Sequence, residues 1–218
     1  NSSTGFGISA FQRTFTVYNV LTGQVEVPEA TVATDIAGLN IIPATVDLSA
    51  AEFELRDEAQ REFILKNKLA AVSNEYDYIL IDCPPSLGLL TLNCLVAADS
   101  VIIPLQCEFY ALEGLSHLLK TIEMIRKALN PALQIEGILL TMYDRRNNLS
   151  VQVENDVRDY MGSKVYKTVI PRNVRISEAP SYGKPVITYD KNSTGALAYL
   201  QLAKEVITNN TTQEGIAA

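Results

Sequence analysis

The stretch Tyr76-Asp77-Tyr78-Ile79-Leu80-Ile81-Asp82-Cys83-Pro84-Pro85-Ser86-Leu87-Gly88 indicates the fold class. An apolar run of strand length ends on the carboxylate of Asp82, and a helix-type apolar pattern begins after Gly88. In an open parallel sheet, ligands bind in the crevice beyond the carboxyl ends of the strands. A carboxylate there is suited to hold Mg²⁺, usually through water, beside nucleotide phosphates. Asp82 is therefore the first candidate for a functional residue.

Length, composition and charge limit the possible classes of protein. The 218 residues suffice for one sizeable α/β domain, and a hydrophobic share of 47% argues against bulk disorder. No apolar run approaches the roughly 18 residues that span a bilayer, so we expect no membrane association. The net charge of −7 excludes a global attraction to nucleic acid. Any DNA binding therefore requires a local basic patch.

The cysteine and histidine counts argue against several kinds of site. Cys83, Cys94 and Cys107 lack metal-type spacing, and we interpret them as free thiols that mainly pack in the core. His117 is the only histidine in the sequence, which excludes a His-pair metal site and disfavours a Ser-His-Asp hydrolase. We expect His117 to be a partly exposed surface residue.

Strand-like and helix-like segments alternate along the chain, which predicts an α/β fold with a doubly wound, mostly parallel sheet and helices on both faces. The predicted strands are Leu39–Thr45, Tyr78–Asp82, Ser100–Leu105, Ile135–Met142 and Lys164–Ile170. The predicted helices are Ser49–Val72, Leu89–Ala97, Tyr110–Leu129, Leu149–Met161 and Ser193–Thr208. Residues 1–208 form one predicted domain, and residues 209–218 form a frayed tail.

Three local patterns refine this prediction. Ile79–Ile81, Val101–Ile103 and Ile138–Leu140 are apolar on consecutive residues, which is typical of strands covered on both faces. Ser49 and Glu52 have the spacing of a helix capping box. The irregular segment Pro171–Asp190 is longer than most connections, and long ordered loops often carry function.

Several motifs in a fixed order resemble the ParA/Soj family of chromosome and plasmid partition ATPases. They are Tyr76–Gly88 with the following Leu89–Asn93, Pro104–Gly114, Leu140–Leu149 and Ile170–Pro185, and Asn1–Ile8 resembles the segment after the family's second strand. The match runs from residue 1 to about residue 208. Members of this family bind MgATP, dimerise around the nucleotide and bind DNA non-specifically. A ParB-like partner then stimulates hydrolysis and releases them.

The resemblance implies a three-layer fold like that of P-loop NTPases, with ATP and Mg²⁺ as cofactors. It also implies a homodimer, non-specific DNA and a ParB-like protein as partners, in a cytoplasmic location associated with the nucleoid. Among the matching residues, Asp82 would be the catalytic Walker B carboxylate, which holds Mg²⁺ through water. The switch segment that senses the γ-phosphate would comprise Pro84, Pro85, Ser86 and Gly88.

The resemblance also implies residues that contact the nucleotide and the DNA. Glu108 would lie near the nucleotide at the dimer seam, and Met142 and Tyr143 would border the adenine. Pro171 and Asn173 would supply backbone or amide contacts to the nucleotide. The candidates for contact with DNA are Arg145, Arg146, Arg172 and Arg175, whose side chains suit phosphate contacts.

Each of these assignments has a plainer alternative. Asp82 would otherwise be a loop or helix-capping carboxylate, and Glu108 a solvated surface residue. Arg145 and Arg146 would form a solvated charged turn. Arg172 and Arg175 would pair with carboxylates such as Glu178 or Asp190.

The sequence departs from the family in one respect. The phosphate loop G-x-x-x-x-G-K-[ST] occurs nowhere in the 218 residues, and the chain begins at Asn1. We therefore expect an N-terminal strand, loop and helix, about 45 residues in total, to be missing. We also expect this chain by itself to lack ATP hydrolysis.

Two further functions stay open. A MinD-like membrane-cycling ATPase requires a C-terminal amphipathic helix with basic residues and bulky apolar anchors. Residues 208–218 contain no Lys, Arg or aromatic residue, which argues against that function. A non-catalytic interaction fragment is supported by the missing phosphate loop, whereas the complete Asp82 motif argues for a catalytic parent.

Overall fold

A computed structural model describes residues 2–84 and 86–217, and it describes side chains as far as Thr211. The chain divides into two compact units. Unit 1 comprises Asn1–Asp99 and Ile122–Leu133, and unit 2 comprises Ser100–Thr121 and Gln134–Ala218. The single domain over residues 1–208 stays a prediction.

The described residues form mostly helices, with two pairs of strands between them. The helices are α1 (Ser2–Gly5), α2 (Val17–Leu21), α3 (Val27–Ala30), α4 (Ala51–Glu54), α5 (Ile64–Leu69), α6 (Leu89–Ala97), α7 (Ala111–Ala128), α8 (Asn148–Met161), α9 (Val174–Glu178), α10 (Val186–Tyr189) and α11 (Thr194–Ala217). The strands are β1 (Val32–Ala33), β2 (Asn40–Ile41), β3 (Ser100–Gln106) and β4 (Gln134–Thr141). Short 3₁₀ turns lie at Ala10–Gln12, Val46–Ala50, Arg61–Phe63, Ser73–Glu75, Gly162–Lys164 and Ala179–Tyr182.

The predicted α/β class is confirmed, and unit 2 contains the parallel pair β3 and β4. Their register runs from Ser100 opposite Gln134 to Gln106 opposite Thr141, with one shift between Val101 and Ile102. The predicted strands Ser100–Leu105 and Ile135–Met142 are therefore confirmed. The predicted helices that correspond to α6, α7 and α8 also agree with the structure within one residue at each end.

Glycine permits close packing on strand β4. A Cβ atom on Gly137 would lie 2.5 Å from the Cε2 atom of Tyr166, so the Tyr166 ring packs directly on the backbone. Tyr166 belongs to a core cluster with Leu139 and Ile170. One face of α11 packs against this cluster, through residues that include Leu202.

The prediction of a buried strand at Tyr78–Asp82 is wrong. Among the described residues no strand pairs with this segment, and Tyr78, Ile79 and Leu80 are 53%, 40% and 85% exposed. Ile81 is partly buried against a core cluster that contains Leu65 and Cys94. An apolar run forms a strand only when a neighbouring strand binds its N–H and C=O groups, and the local sequence does not specify that neighbour.

Strand β3 is also less covered than its sequence predicts. Ile103 and Leu105 are buried, whereas Ile102 and Pro104 are exposed, so the side chains alternate between a covered and an open face. In β4, by contrast, Ile138, Leu139 and Leu140 are all buried, as predicted.

Two other predicted strands are not formed over their expected lengths. Within Leu39–Thr45 only Asn40–Ile41 forms a strand, which pairs antiparallel with β1. The strand does not continue through Pro43, because proline has no N–H and the Pro43 carbonyl accepts from Val17 N at 2.9 Å. Within Lys164–Ile170, Val165 bridges Ile138. The backbone N–H groups of Lys167 and Thr168 donate instead to the Glu205 carboxylate, at 2.7 and 3.0 Å.

The predicted helix Ser49–Val72 is broken into shorter pieces. Gln60 has a φ of 54°, in the left-handed region, and separates α4 from α5. The predicted capping box is also wrong, because the Ser49 hydroxyl donates to the Val46 carbonyl and Glu52 contacts a different helix. Helix α11 continues to Ala217, past the predicted end at Thr208.

Three single-residue predictions have clear outcomes. Cys94 and Cys107 are buried, as expected, but Cys83 is exposed. Its burial was predicted from the general tendency of free cysteines to be buried, whereas the segment that precedes it is exposed. His117 is exposed, as expected for a surface histidine.

The buried side-chain amide of Asn93 joins α6 to the residues around the start of α5 in unit 1. The Asn93 carbonyl oxygen accepts from Leu65 N at 3.0 Å. Its amide nitrogen donates to the carbonyls of Arg61 and Leu89, at 2.8 and 3.0 Å. Buried backbone groups need such partners, so Asn93 replaces hydrogen bonds that regular secondary structure would otherwise supply.

We predict that Asn93→Ala lowers the free energy of unfolding by about 2 kcal/mol, since it leaves the buried Leu65 N–H without its acceptor. Urea unfolding monitored by circular dichroism measures the change. Asn155→Ala, on the exposed face of α8, is the matched control and should change stability by less than about 0.5 kcal/mol. Equal effects of the two substitutions would contradict the role of Asn93.

Candidate functional site

The predicted site residues fall into one group in unit 1 and one group in unit 2. In unit 1, the Asp82 carboxylate is exposed and accepts a hydrogen bond from the Ser2 hydroxyl at 2.8 Å. Ser2 is the first residue of α1, 80 positions away, and no sequence signal connects the two. The Asp82 carboxylate is thus open to solvent and accepts a described hydrogen bond from one hydroxyl group.

The switch residues lie against the first turns of α6. The Thr91 hydroxyl donates to the Pro84 carbonyl at 3.4 Å, and it also hydrogen-bonds to the carbonyl of Ser86. Pro85 lies outside the described residues. These contacts tie the segment after Asp82 to the helix that follows it.

A carboxylate lies at the N-terminus of α6. Glu52 Oε1 accepts from Leu90 N at 3.3 Å, and the same oxygen leaves no space for a Cβ atom on Gly88. Negative charge is favourable at a helix N-terminus because the free N–H groups there carry partial positive charge. The close approach explains why glycine suits position 88, where φ is an ordinary −97°.

An open cavity of about 330 Å³ lies beside this contact. Its lining residues are Glu52, Phe53, Arg56, Arg61, Glu62, Leu87, Gly88, Leu89 and Leu92. Charges of both signs line the cavity, so its electrostatics alone do not select a cation or an anion.

The exposed Cys83 thiol, next to Asp82, donates to the Ile81 carbonyl at 3.7 Å. The nearby Cys94 thiol lowers the pKa of Cys83, whereas Cys83 and burial together raise the pKa of Cys94. Burial and the neighbouring Asp82 charge oppose the decrease at Cys83.

In unit 2, four predicted residues come together beyond the ends of β3 and β4. Tyr143 and Pro171 form an isolated parallel bridge, and Arg172 N donates to the Tyr143 carbonyl at 3.0 Å. The Arg172 guanidinium lies 3.7 Å from a Glu108 carboxylate oxygen. Both of these charged side chains are more than half exposed, so the ion pair contributes little stability.

The adjacent residues Met142 and Tyr143 differ in exposure. Met142 is 37% exposed and has a φ of 53°, a left-handed conformation that is uncommon for a residue with a side chain. Tyr143 is 8% exposed, and a hydrogen bond with Glu154 raises the pKa of its hydroxyl. Of the two predicted adenine neighbours, Met142 is therefore the side chain open to a ligand.

Asn173 has a structural role in the loop after residue 170. Its carbonyl oxygen caps α9 by accepting from Arg175 N at 2.8 Å. Its amide nitrogen donates to the Thr194 hydroxyl at 2.8 Å, at the start of α11. Both ends of the Asn173 amide are thus engaged within unit 2.

The four arginines differ in their existing partners. Arg175 pairs with Glu178 at 2.8 Å and with Asp190 at 3.4 Å, which was the plainer alternative for this residue. Arg146 binds Asp144 through two nitrogens, and these hydrogen bonds lower the pKa of Asp144 to about 2. Among the described residues, no carboxylate lies within 4.0 Å of the Arg145 guanidinium.

Neither a metal-binding cluster nor a membrane-spanning helix occurs among the described residues. No cluster of three or more His, Cys, Asp or Glu side chains could hold a metal ion by itself. None of the described helices is both long enough and apolar enough to cross a membrane.

Comparison with known proteins identifies the family. A family model described as an AAA domain matches residues 1–135. The chromosome partitioning protein ParA of Caulobacter vibrioides is 54% identical over 220 residues, which cover 100% of this chain and 82% of that protein. The chain belongs to the ParA/Soj family of partition ATPases. The sporulation initiation inhibitor protein Soj of Bacillus subtilis is 56% identical over 209 residues, or 96% of this chain and 83% of Soj.

Solved structures agree with a P-loop NTPase fold for this ParA/Soj chain. The cobyrinic acid a,c-diamide synthase of Mycobacterium smegmatis, with bound ATP analog and magnesium, superposes with a TM-score of 0.80. It is 39% identical in sequence, and the match covers 93% of this chain and 75% of the synthase. Three contacts of the ParA/Soj chain described above were not predicted from the sequence: those made by Ser2, Glu52 and Thr91.

We predict that Glu52→Ala and Gly88→Ala each lower stability by about 1 kcal/mol, because each removes the Glu52 carboxylate from the N-terminus of α6. The double variant should cost little more than either single variant, since the same contact is lost only once. Urea unfolding of the four proteins in a double-mutant cycle measures this coupling. Additive losses would show that Glu52 and Gly88 act independently.

Proposed function

We propose that this ParA/Soj-family chain acts as a nucleotide-switched partition protein. In this proposal a homodimer forms with ATP and Mg²⁺, holds DNA non-specifically near the nucleoid, and is released when a ParB-like partner stimulates hydrolysis. The observation that carries the proposal is the identity of 54–56%, over 96–100% of the chain, to proteins named ParA and Soj. The lower identity of 39% to a cobyrinic acid a,c-diamide synthase gives amide synthesis less support.

Asp82 is proposed as the Walker B carboxylate. The described residues offer no three-ligand cluster, so a Mg²⁺ ion here would be held mainly by water and nucleotide phosphates. An exposed carboxylate with a single hydroxyl partner fits a role as acceptor for metal-bound water. Bound MgATP would supply the phosphoryl group, with the metal neutralising its charge.

The proposed switch comprises Pro84, Pro85, Ser86 and Gly88. Support comes from the hydrogen bonds of the Thr91 hydroxyl in α6 to the Pro84 and Ser86 carbonyls, and from the close approach of the Glu52 carboxylate to Gly88. If a change at the γ-phosphate moves this segment, either these contacts break or the start of α6 moves with the segment. Helix α6 is therefore the element through which the switch would act.

The proposed nucleotide contacts in unit 2 are Glu108, Met142, Tyr143, Pro171 and Asn173. The open Met142 side chain supports contact with the adenine, whereas Tyr143 is buried and both of its backbone groups are hydrogen-bonded, to Ile170 and Arg172. The Asn173 amide already bonds to Thr194 and to Arg175 N, so a contact with the nucleotide would use its second N–H or its second oxygen lone pair. Glu108 is exposed beside Arg172, as a residue at a dimer seam would be.

The proposed DNA contacts are Arg145, Arg146, Arg172 and Arg175. The net charge of −7 opposes DNA at long range, so these arginines must act locally. Arg145 is the strongest candidate because its exposed guanidinium has no carboxylate within 4.0 Å in the described structure. Arg146 and Arg175 must give up or share their carboxylate partners to contact a phosphate.

We predict that the 218-residue chain does not turn over ATP, because the sequence contains no phosphate loop. The chain joined to whatever its gene encodes upstream should hydrolyse ATP, and Asp82→Asn in that form should lower kcat at least about 100-fold. Phosphate release measures turnover. Asp99→Asn, at an exposed aspartate after α6, is the matched control.

Two outcomes would contradict this assignment. Equal turnover of Asp82→Asn and Asp99→Asn would remove Asp82 from the catalytic site. If the extended form neither binds nor hydrolyses ATP, an interaction module takes the place of the partition ATPase.

We predict that ATP-dependent DNA retention by the extended form weakens steeply with salt, since phosphate contacts release counterions. Arg145→Ala should reduce the slope of log affinity against log salt by about 1, and Arg175→Ala by less. Lys127→Ala removes the same charge from an exposed position at the end of α7 and should leave the slope unchanged. Retention that does not depend on salt would contradict a role for the arginines.

A further inference from the structure

Two carboxylates from different elements of unit 2 hold the side chain of Arg175. Its Nη1 atom lies 2.8 Å from Glu178 Oε2, on α9, and its Nε atom lies 3.4 Å from Asp190 Oδ2, at the end of α10. We call these three side chains the Arg175 clamp. Two carboxylates face one guanidinium, so the clamp carries a net charge of −1 at neutral pH.

Both carboxylates of the clamp are held in place by contacts of their own. The Tyr189 hydroxyl donates to Glu178 Oε2 at 3.4 Å, and the Tyr189 ring stacks on Tyr182 with 5.0 Å between the ring centroids. Asn192 N donates to Asp190 Oδ1 at 3.3 Å. Exposed ion pairs are usually weak because two flexible side chains must be fixed in one geometry. Carboxylates that the fold already holds are therefore stronger partners for the guanidinium.

The clamp distinguishes Arg175 from the other three proposed DNA contacts. In the described structure, no carboxylate lies within 4.0 Å of the Arg145 guanidinium, and Arg146 and Arg172 each pair with one carboxylate. Among the described ion pairs of these four arginines, those of Arg175 alone involve two carboxylates. A DNA phosphate that approaches the clamp thus meets more negative than positive charge.

The pairing also occupies the guanidinium edges that a phosphate would use. Arginine grips a phosphate through two neighbouring nitrogens, either Nε with Nη2 or Nη1 with Nη2. Asp190 faces Nε and Glu178 faces Nη1, so each edge already has one nitrogen paired with a carboxylate. A two-point contact between Arg175 and a phosphate therefore requires displacement of at least one carboxylate.

We propose that Glu178 and Asp190 are positioning residues that compete with DNA phosphate for Arg175, and that this competition lowers DNA affinity and keeps retention reversible. Their negative charge repels the phosphate, and their hydrogen-bonding distances keep the guanidinium engaged. The effect on DNA rests on the proposed function, whereas the masking of the Arg175 guanidinium by its two partners does not.

The first test uses the 218-residue chain without DNA. Phenylglyoxal reacts with the neutral form of arginine, and Glu178 raises the pKa of Arg175, so the clamp should slow this reaction. Peptide mapping by mass spectrometry gives the modification rate of Arg175 relative to that of Arg145 in the same sample. We expect Glu178→Gln/Asp190→Asn to raise this ratio several-fold, and Asp190→Asn alone to raise it by less. The single variant also serves as the test if the double variant does not fold.

Glu123→Gln is the matched control for this experiment. Glu123 pairs with Arg126 at 2.6 Å on α7, three positions apart in sequence, as Glu178 and Arg175 are on α9. The control variant should leave the relative rate at Arg175 unchanged. An equal relative rate in the wild type and in both clamp variants would overturn the masking of Arg175.

The second test measures ATP-dependent DNA retention by the extended form. Glu178→Gln should tighten retention about two- to five-fold at low salt, whereas Glu123→Gln, with the same change in net charge, should have a smaller effect. The gain should disappear when Arg175→Ala is also present, because Glu178 acts through Arg175. In the Glu178→Gln/Asp190→Asn background, Arg175→Ala should reduce the slope of log affinity against log salt by about 1.

Three outcomes of the second test are decisive against parts of the proposal. Weaker retention by Glu178→Gln would overturn the competition, because the carboxylate would then be preparing Arg175 for phosphate. A gain that persists with Arg175→Ala would show a general effect of charge and would also overturn it. If no form retains DNA, the proposed function fails together with the effect on DNA, and the phenylglyoxal rates still decide whether the clamp masks Arg175.

Discussion

Unit 1 depends on the way in which distant side chains satisfy the backbone of the nine-residue helix α6. Glu52 binds the N–H of Leu90 at its start, and the Asn130 amide donates to the carbonyls of Leu95, Val96 and Ala98 at its end. Asn93 extends this polar network toward Leu65. A helix this short is not stable alone in water, so these contacts and the packing of its apolar face must hold it. The segment from Asp82 to Gly88 takes its position from this helix.

Unit 2 is organised by the parallel pairing of β3 and β4. Both strands end at the same edge, after Gln106 and Thr141, and the predicted ligand-binding residues Glu108 and Met142 follow directly. This arrangement agrees with the general location of ligands at the carboxyl ends of parallel strands. The left-handed conformation of Met142 occurs at this edge, where local backbone strain often accompanies function.

Elements with strong local signals were predictable from the sequence. The apolar spacing on α7 and the buried run Ile138–Leu140 in β4 agree with the structure because each pattern reports burial directly. The helix over Leu89–Ala97 was also predicted at its observed bounds. The position of Asp82 at the end of an apolar run identified it as a candidate, although its role stays a prediction.

Features that depend on distant partners were not predictable. The Glu52 side chain has the spacing of a capping box with Ser49, yet it contacts a backbone N–H 38 residues away. Ser2 and Asp82 meet across an even larger separation. Lys164–Ile170 has the composition of a strand, but the Glu205 carboxylate takes two of its backbone N–H groups. In each case the tertiary structure determines the hydrogen-bonding partner, which the local residue pattern does not specify.

The exposed run Tyr78–Leu80 has a consequence for the behaviour of the polypeptide in concentrated solution. Three bulky apolar residues, two of them with high β-propensity, lie at the surface, and no strand among the described residues pairs with them. Such a segment is a template for intermolecular β-pairing and hence for aggregation. Asp77 and Asp82 flank it with negative charge, and charged gatekeepers of this kind oppose self-association. The carboxylate proposed to serve the nucleotide thus also opposes β-aggregation of the chain.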